Sequence, residues 1–138
     1  MTMTTKTPHF SAFLAASMLA LGMGQAHAQS VVVICHPSVT LSAAEIKDVF
    51  LGEKQLAGAT KLVPVDNNSL QEAFLGKIVH MDPAKYSGHW TKKSFRDGLT
   101  APAVKGSDAE VIEFVKRTPG AVGYVKTAST GVVTVTQQ

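Results

Sequence analysis

Residues 62 to 74 of this chain read LVPVDNNSLQEAF, and this stretch decides how the rest of the sequence is interpreted. The run 61–65 predicts a β-strand, and the polar residues 66–69 end it. Leu70 then begins an apolar pattern with helical spacing that reaches Phe74. A strand that ends in a polar turn and continues as a helix is the building unit of α/β folds, and ligands often bind at such a turn. The sequence therefore predicts an α/β fold and makes this turn the first place to look for a site.

Helix starts are marked three times by the pattern Ser-x-x-Glu ahead of apolar residues, at 42–45, 69–72 and 107–110. In this capping box the serine hydroxyl accepts from a backbone N–H of the first turn, and the glutamate accepts from the N-cap N–H. A fourth helix is predicted to begin with Asp82 as its cap and Pro83 in its first turn, and to end near the turn Arg96-Asp97-Gly98.

Runs rich in β-forming residues lie between these helices, at 31–35, 61–65, 121–125 and 132–135. Strands and helices alternate in the first part of the chain, which favours a mainly parallel sheet flanked by helices. The polar stretch 98–106 is predicted to be a surface loop.

The first 28 residues have the composition of an export signal. Lys6 is their only charged residue, an apolar run follows at 10–23, and Ala26-His27-Ala28 forms a signal-peptidase pattern. Cleavage is predicted near Ala28-Gln29, which leaves a periplasmic domain of residues 29–138. The apolar run is shorter than the ~20 residues that cross a bilayer, so a membrane anchor is the weaker alternative, and no later segment predicts a span.

Composition and side-chain chemistry argue against several functions. The 13 Lys and Arg residues against 10 acids are scattered along the chain, so nucleic acid is a poor partner. Cys35, the single cysteine, lies in an apolar run and is interpreted as a buried core residue, with a reactive thiol as the alternative. His36, His80 and His89 match no spacing of metal ligands. No catalytic residues, metal or cofactor are predicted, and the chain is interpreted as non-enzymatic.

Two longer motifs carry a resemblance to a known family. The stretch 41–52 reads LSAAEIKDVFLG, and GSDAEV at 106–111 leads to TPGAVGYV at 118–125, with Trp90 between them. Together they resemble the phosphate ABC transporter substrate-binding protein family over nearly the whole of residues 29–138. The resemblance implies a type II periplasmic-binding-protein-like fold and a role in solute binding for phosphate transport. Members of that family enclose an oxyanion between two lobes, whereas this chain matches a single lobe.

The turn at 66–71 departs from the ligand segment that the resemblance implies. In the family this segment reads roughly Arg-x-x-Gly-Ser-Gly-Thr, whereas here it reads DNNSLQ, and Ser69 alone matches. Asp66 stands in the place of the arginine, and Leu70 replaces a glycine. At ~5 Å and an effective dielectric of ~20, the carboxylates of Asp66 and Glu72 would each repel a monoanion by about 3 kcal/mol. A helix dipole offers only ~0.3–1 kcal/mol in return, so phosphate binding is expected to be weakened.

Asp66, Asn67, Asn68 and Ser69 nevertheless remain the predicted ligand-binding residues, with Asp66 setting selectivity. They suit a small polar solute or a weakly held oxyanion. The alternative is a purely structural turn in which Ser69 caps the following helix.

Lys92, Lys93 and Arg96 form the one basic cluster, beside Trp90 and Phe95. The cluster is interpreted as a solvated helix face or as a contact for an acidic partner, and the two aromatic residues as core.

Two functions stay open at this point. The first is a half-size solute-binding module that closes its cleft by forming a homodimer. The second is an accessory protein that has lost ligand binding and contacts an ABC transporter or an envelope protein through a sheet edge or the basic face.

Overall fold

The computed structural model describes residues 29–138, and the predicted signal peptide, residues 1–28, lies outside this range. Short elements precede the first parallel strand, and two longer helices follow it. In chain order the elements are β1 Val32–Cys35, a 3-10 turn Ala43–Glu45, α1 Ile46–Phe50, β2 Leu56–Ala57, β3 Thr60–Lys61, β4 Val63–Asn67, α2 Gln71–Phe74, a π turn Leu75–Val79, α3 Pro83–Asp97, β5 Ala103–Lys105, α4 Asp108–Arg117, β6 Ala121–Val125 and β7 Val133–Gln137. No helix among the described residues has the length and hydropathy to cross a bilayer.

A five-stranded sheet with the order β5-β4-β6-β1-β7 forms the centre of the domain. β4 is parallel to both β5 and β6, whereas β1 is antiparallel to β6 and to β7. Four strands therefore point in one direction, and only β1 runs against them. The predicted α/β fold, with a mainly parallel sheet flanked by helices, is confirmed. The short strands β2 and β3 form a separate hairpin.

Apolar side chains cover both faces of the sheet. On the larger side Phe74 stacks on Tyr124 with ring centroids 3.8 Å apart, and Phe50 meets Phe74 edge-on at 4.7 Å. On the other side α4 packs against the sheet through Val111. Gly123 makes this approach possible, because a Cβ atom there would lie 2.6 Å from the Val111 side chain.

The connections around β4 leave the sheet on opposite faces. α2, the π turn and α3 lead from β4 to β5 over the larger core, and α4 leads from β5 to β6 over the smaller one. The carboxyl ends of β4 and β5 therefore flank a topological switch point, which is where open α/β sheets bind ligands.

Two of the three predicted capping boxes correspond to helix starts, and the cap of α3 is also confirmed. The Glu45 carboxylate accepts from the Ser42 backbone N–H at 2.7 Å. The Ser107 hydroxyl accepts from the Glu110 backbone N–H at 3.3 Å. Asp82 caps α3. These starts depend on contacts within four residues, which is why the sequence alone predicts them.

The helix after β4 differs from its prediction. Its N-cap is Leu70, and the Ser69 hydroxyl does not cap it but donates to the side-chain oxygen of Asn67 at 2.6 Å. After one α turn the chain continues as the π turn Leu75–Val79, in which each backbone hydrogen bond spans five residues instead of four. As a result Val79, at the end of this turn, is fully buried, whereas Ile78 is only partly buried.

Candidate functional site

The switch point is formed by the end of β4 and the start of α4. We call the space between residues 67–69 and residues 106–108 the β4 crevice. The Asn68 backbone N–H donates to the Lys105 carbonyl oxygen at 2.8 Å, which ties the end of β4 to the end of β5. The Asn68 and Ser69 side chains are exposed, so solvent reaches the outer part of the crevice.

Asn67 is the fully buried centre of the crevice. Its amide nitrogen donates to Asp108 Oδ1 at 2.7 Å and to the Tyr124 carbonyl oxygen at 3.0 Å. Its amide oxygen accepts from the Ser69 backbone N–H at 3.1 Å and from the Ser69 hydroxyl at 2.6 Å. An asparagine side chain offers two N–H donors and two acceptor positions. All four are used within the chain.

A carboxylate of the chain itself, that of Asp108, lies in the β4 crevice. Besides accepting from Asn67, it accepts from the Lys126 backbone N–H at 2.8 Å, directly after β6. Its Oδ1 also lies 3.5 Å from the Ser69 hydroxyl. Asp108 thus joins the ends of three elements, β4, α4 and β6. Sequence reasoning explains 107–110 as a helix cap and so misses this role.

Asp66 is separated from the other predicted site residues because successive side chains of a strand point to opposite faces. It is 2% exposed, and its two oxygens accept from the hydroxyls of Tyr86 and Tyr124, each at 2.8 Å. Burial raises the pKa of the Asp66 carboxyl, and this effect outweighs the two hydroxyl donors, which lower it. Burial, followed by the charge of Asp66, also raises the pKa of both tyrosines.

The four predicted ligand-binding residues therefore do not converge. Asn67 and Ser69 meet each other and Asp108, Asn68 faces solvent, and Asp66 belongs to a buried cluster with two tyrosines. The signal that could have identified this cluster is strand alternation, which places Asp66 on the same face as Leu62, a residue of the larger core.

A second recess lies beside the buried cluster, between α3 and β5. This α3–β5 groove has a volume of about 530 Å³, and Asp66 lies at its base. Among the described residues that line it there is no lysine, arginine or glutamate. Its walls combine hydroxyl, aromatic and aliphatic side chains, among them Tyr86, Thr91, Ser94, Phe95, Pro102 and Val104.

The surface beside the groove corrects three predictions. The stretch 98–106 is not simply a loop, because it contains β5. Trp90 is 6% exposed and belongs to the core as predicted, but Phe95 is 90% exposed and does not. Lys93 is not part of a solvated face, since it is 4% exposed and pairs with Glu53 at 3.0 Å and with Asp97 at 3.5 Å.

In the part of the chain that the structure describes, the cysteine and the histidines do not form a site. Cys35 is 1% exposed, as predicted for a core residue, and burial raises the pKa of its thiol. His36 shares a hydrogen bond with the Ser38 hydroxyl at 2.8 Å. Within residues 29–138, no three His, Cys, Asp or Glu side chains are grouped so that they could hold a metal ion.

Comparison with known proteins supports the fold. No protein-family model matches the chain, and no curated protein matches it. Among solved structures, it is similar to a putative phosphate ABC transporter substrate-binding protein with bound phosphate from Clostridium perfringens, with a TM-score of 0.56 and 18% identity, over 78% of this chain and 45% of that one. It is also similar to PstS from Borrelia burgdorferi, with a TM-score of 0.51 and 17% identity, over 70% of this chain and 40% of that one.

At these identities the similarity concerns the fold alone, and this chain spans less than half of either neighbour. The mixed α/β domain is consistent with a single lobe of the periplasmic-binding-protein type, as predicted.

Proposed function

We propose that this chain is a non-enzymatic, extracytoplasmic module related to the substrate-binding proteins of phosphate ABC transporters, and that its β4 crevice does not hold phosphate tightly. One observation carries the proposal: the Asp108 carboxylate lies in the crevice and accepts from the Asn67 amide at 2.7 Å and the Lys126 N–H at 2.8 Å. The fold and its solved neighbours support the first half of the proposal, and the occupied crevice supports the second.

An oxyanion would find the donors of Asn67 and Ser69 in this crevice already in use. The Asn67 N–H groups already donate to Asp108 and to a carbonyl, and both donors of Ser69 already serve Asn67. A phosphate would have to break these bonds and leave buried groups without partners, which costs about 1–3 kcal/mol for each group.

Charge acts in the same direction. At ~5 Å and an effective dielectric of ~20, the Asp108 carboxylate repels a monoanion by about 3 kcal/mol. The start of α4 offers only ~0.3–1 kcal/mol of dipole attraction, so the balance is unfavourable. Solvent at the outer part of the crevice reduces the repulsion without changing its sign.

A weaker form of binding remains compatible with this geometry. The exposed Asn68 and Ser69 side chains, with Asn67 behind them, could contact a neutral polar solute or a loosely held oxyanion at the mouth of the crevice. Asp66 would influence selectivity only indirectly, because its oxygens are occupied by tyrosine hydroxyls.

A second candidate function is an accessory protein of the envelope or of an ABC transporter that works by protein contact and no longer binds a ligand. The observation that favours it is Phe95, a large aromatic side chain that is 90% exposed at the rim of a groove whose described lining has no lysine, arginine or glutamate. Exposed apolar surface beside a recess commonly marks a protein contact.

Isothermal titration calorimetry of the purified chain with phosphate, sulfate and glycerol tests the primary proposal. We expect phosphate to bind with a Kd of about 1 mM or weaker, which corresponds to ~4 kcal/mol or less. Asp108→Asn, which removes the charge but keeps the shape, should bind phosphate more tightly than the natural chain. Submicromolar phosphate binding by the natural chain that is lost in Ser69→Ala would overturn the proposal.

A further inference from the structure

We propose that the α3–β5 groove is the contact between two copies of this chain, related by a two-fold axis, with Phe95 of each copy packed into the groove of the other. The proposal depends on the shape, the charge and the open strand edge of this surface. It is independent of phosphate binding, so a failure of either proposal leaves the other in place.

Shape is the first observation. Phe95 projects from α3 with 90% of its surface exposed, directly beside a recess of about 530 Å³. Val104, on the opposite wall, is 58% exposed. In a two-fold dimer the same patch meets itself, so it must contain both a projection and a recess. This patch contains both, and a buried phenylalanine ring contributes ~150–250 Å² of contact area.

Charge is the second observation. A two-fold axis places each charge of the patch near its own copy, so a charged patch would repel itself. The side chains described in the groove lining include one charged group, Asp66, and it is 2% exposed with both oxygens hydrogen-bonded. The rest are neutral, and the hydroxyls of Ser87, Thr91 and Ser94 can exchange hydrogen bonds across the axis. Lys92 and Arg96 lie beside Phe95 but outside the lining, and Arg96 pairs with Asp97 at 3.1 Å. A self-complementary groove with a neutral accessible lining fits a second copy better than a charged partner.

The third observation is the open edge of β5, which is the end strand of the sheet and pairs with β4. The Lys105 carbonyl oxygen accepts from Asn68 on the β4 side. Because backbone groups of successive residues in a strand point to alternate sides, the N–H and C=O of Val104 point to the outer edge. Two antiparallel copies can therefore pair Val104 with Val104 through two reciprocal N–H···O=C bonds.

This backbone pairing cannot extend further along the edge. Pro102 has no N–H group, and the Gly106 N–H is already bonded to the Glu110 carboxylate at 2.7 Å. The two hydrogen bonds at Val104 therefore fix the register, while burial of Phe95 supplies most of the attraction. An interface built on the Phe95 rings and two backbone hydrogen bonds belongs to the small, weak class of protein contacts. We therefore expect a Kd of ~10–500 μM.

Disulfide trapping tests the predicted register. The Cα atoms of a hydrogen-bonded antiparallel pair lie ~5.5 Å apart, which suits a disulfide. We expect Val104→Cys to form a covalent dimer under mild oxidation, and the native Cys35 does not interfere because it is 1% exposed. Val133→Cys is the matched control, since Val133 is an exposed strand valine at the opposite sheet edge, 44% exposed. Crosslinking of Val104→Cys no faster than that of Val133→Cys overturns the proposed register.

Sedimentation equilibrium tests the packing of Phe95 without a crosslink. Between about 20 μM and about 1 mM we expect the natural chain to shift from monomer to dimer, and Phe95→Ser to raise the Kd at least about tenfold. Leu56→Ser is the control, because it removes another exposed apolar side chain, 55% exposed, from the β2-β3 hairpin. A natural chain that stays monomeric at the highest concentration, or a dimer that Phe95→Ser leaves unchanged, contradicts the proposal.

Discussion

Two regions beside β4 have opposite character. In the β4 crevice, the buried asparagine Asn67 and the carboxylate of Asp108 satisfy each other and the backbone around them. In the α3–β5 groove, Phe95 and Val104 extend into solvent, and β5 has an open edge. The region that looks like a ligand site in the sequence is internally complete, whereas the region predicted as loop and core is the one left open.

The physical reason for this difference lies in what short polar side chains do in a turn. Asn, Asp and Ser next to a strand end readily bond the neighbouring backbone, so a polar turn signals local order at least as often as binding. The ring of Phe95, which is 90% exposed, packs little against its own chain. We infer that the crevice contributes mainly to stability and the groove mainly to association, and each of the following changes probes one side of that difference.

Asn67→Ala should have the largest effect, because it breaks the crevice at its buried centre. The change leaves Asp108, the Tyr124 carbonyl and Ser69 without their partner. With ~1–3 kcal/mol for the buried Tyr124 carbonyl left unpaired and about 1 kcal/mol for each hydrogen bond lost at Asp108 and Ser69, which are not buried, we expect the free energy of unfolding to fall by about 3–5 kcal/mol. Urea denaturation followed by tryptophan fluorescence measures this loss.

Asn68→Ala provides the matched control for that experiment, because the Asn68 side chain is exposed and the hydrogen bond to Lys105 comes from its backbone. It should change stability by less than about 0.5 kcal/mol. Equal effects of the two substitutions would mean that the crevice is not the stabilising element proposed here.

Asp66→Asn should have a smaller, pH-dependent effect. Burial raises the pKa of Asp66 above its ordinary value of 3.8, so the folded state binds this proton more strongly than the unfolded state. The stability that Asp66 contributes is therefore fully present below the ordinary pKa and is lost as pH rises through the raised one. Each unit of pKa difference corresponds to about 1.4 kcal/mol.

The measurement is the difference in unfolding free energy between the natural chain and Asp66→Asn across this pH range. Exposed carboxyls such as Glu45 and Asp97, whose pKa values are lowered, titrate in both proteins and cancel in the difference. We expect the natural chain to lose stability relative to the variant as pH rises. A flat difference would show that the hydroxyl donors balance burial, and a difference in the opposite direction that they outweigh it, and either result would contradict the expectation.

The sequence predicts those parts of the fold that depend on neighbouring residues. α3 begins at the Asp82 cap with Pro83 in its first turn and ends at Gly98, as predicted, and Gly98 has a left-handed conformation. Each of these signals acts within one helical turn. The predicted start of α2 was wrong because the Ser69 hydroxyl, which was expected to cap the helix, donates to the Asn67 side chain instead.

The candidate site was only partly predictable because its partners are distant in sequence. Asp108, the main partner of Asn67, lies 41 residues further along the chain, and no local pattern connects the two. The exposure of Phe95, in contrast, could have been found. Phe95 follows Tyr86 by nine residues, or two and a half turns of an α-helix, which places the two side chains on opposite sides of α3.

Phe95→Ser should have the smallest effect on the stability of the monomer. Because 90% of the Phe95 side chain is exposed, removing it loses little burial, and we expect a change below about 0.5 kcal/mol in dilute protein. Phe74→Ala, at a fully buried position, should instead cost about 3–5 kcal/mol.

The Tm values of the natural chain and of Phe95→Ser should diverge as the protein concentration rises. Association stabilises the natural chain by mass action, so its Tm should increase with protein concentration while that of Phe95→Ser stays constant. A large destabilisation of Phe95→Ser already in dilute solution would mean that the ring packs within its own chain, and the contrast between groove and crevice would fail. Because dilution separates the two contributions, a concentration series of thermal melts distinguishes a side chain that stabilises the fold from one that joins two folded copies.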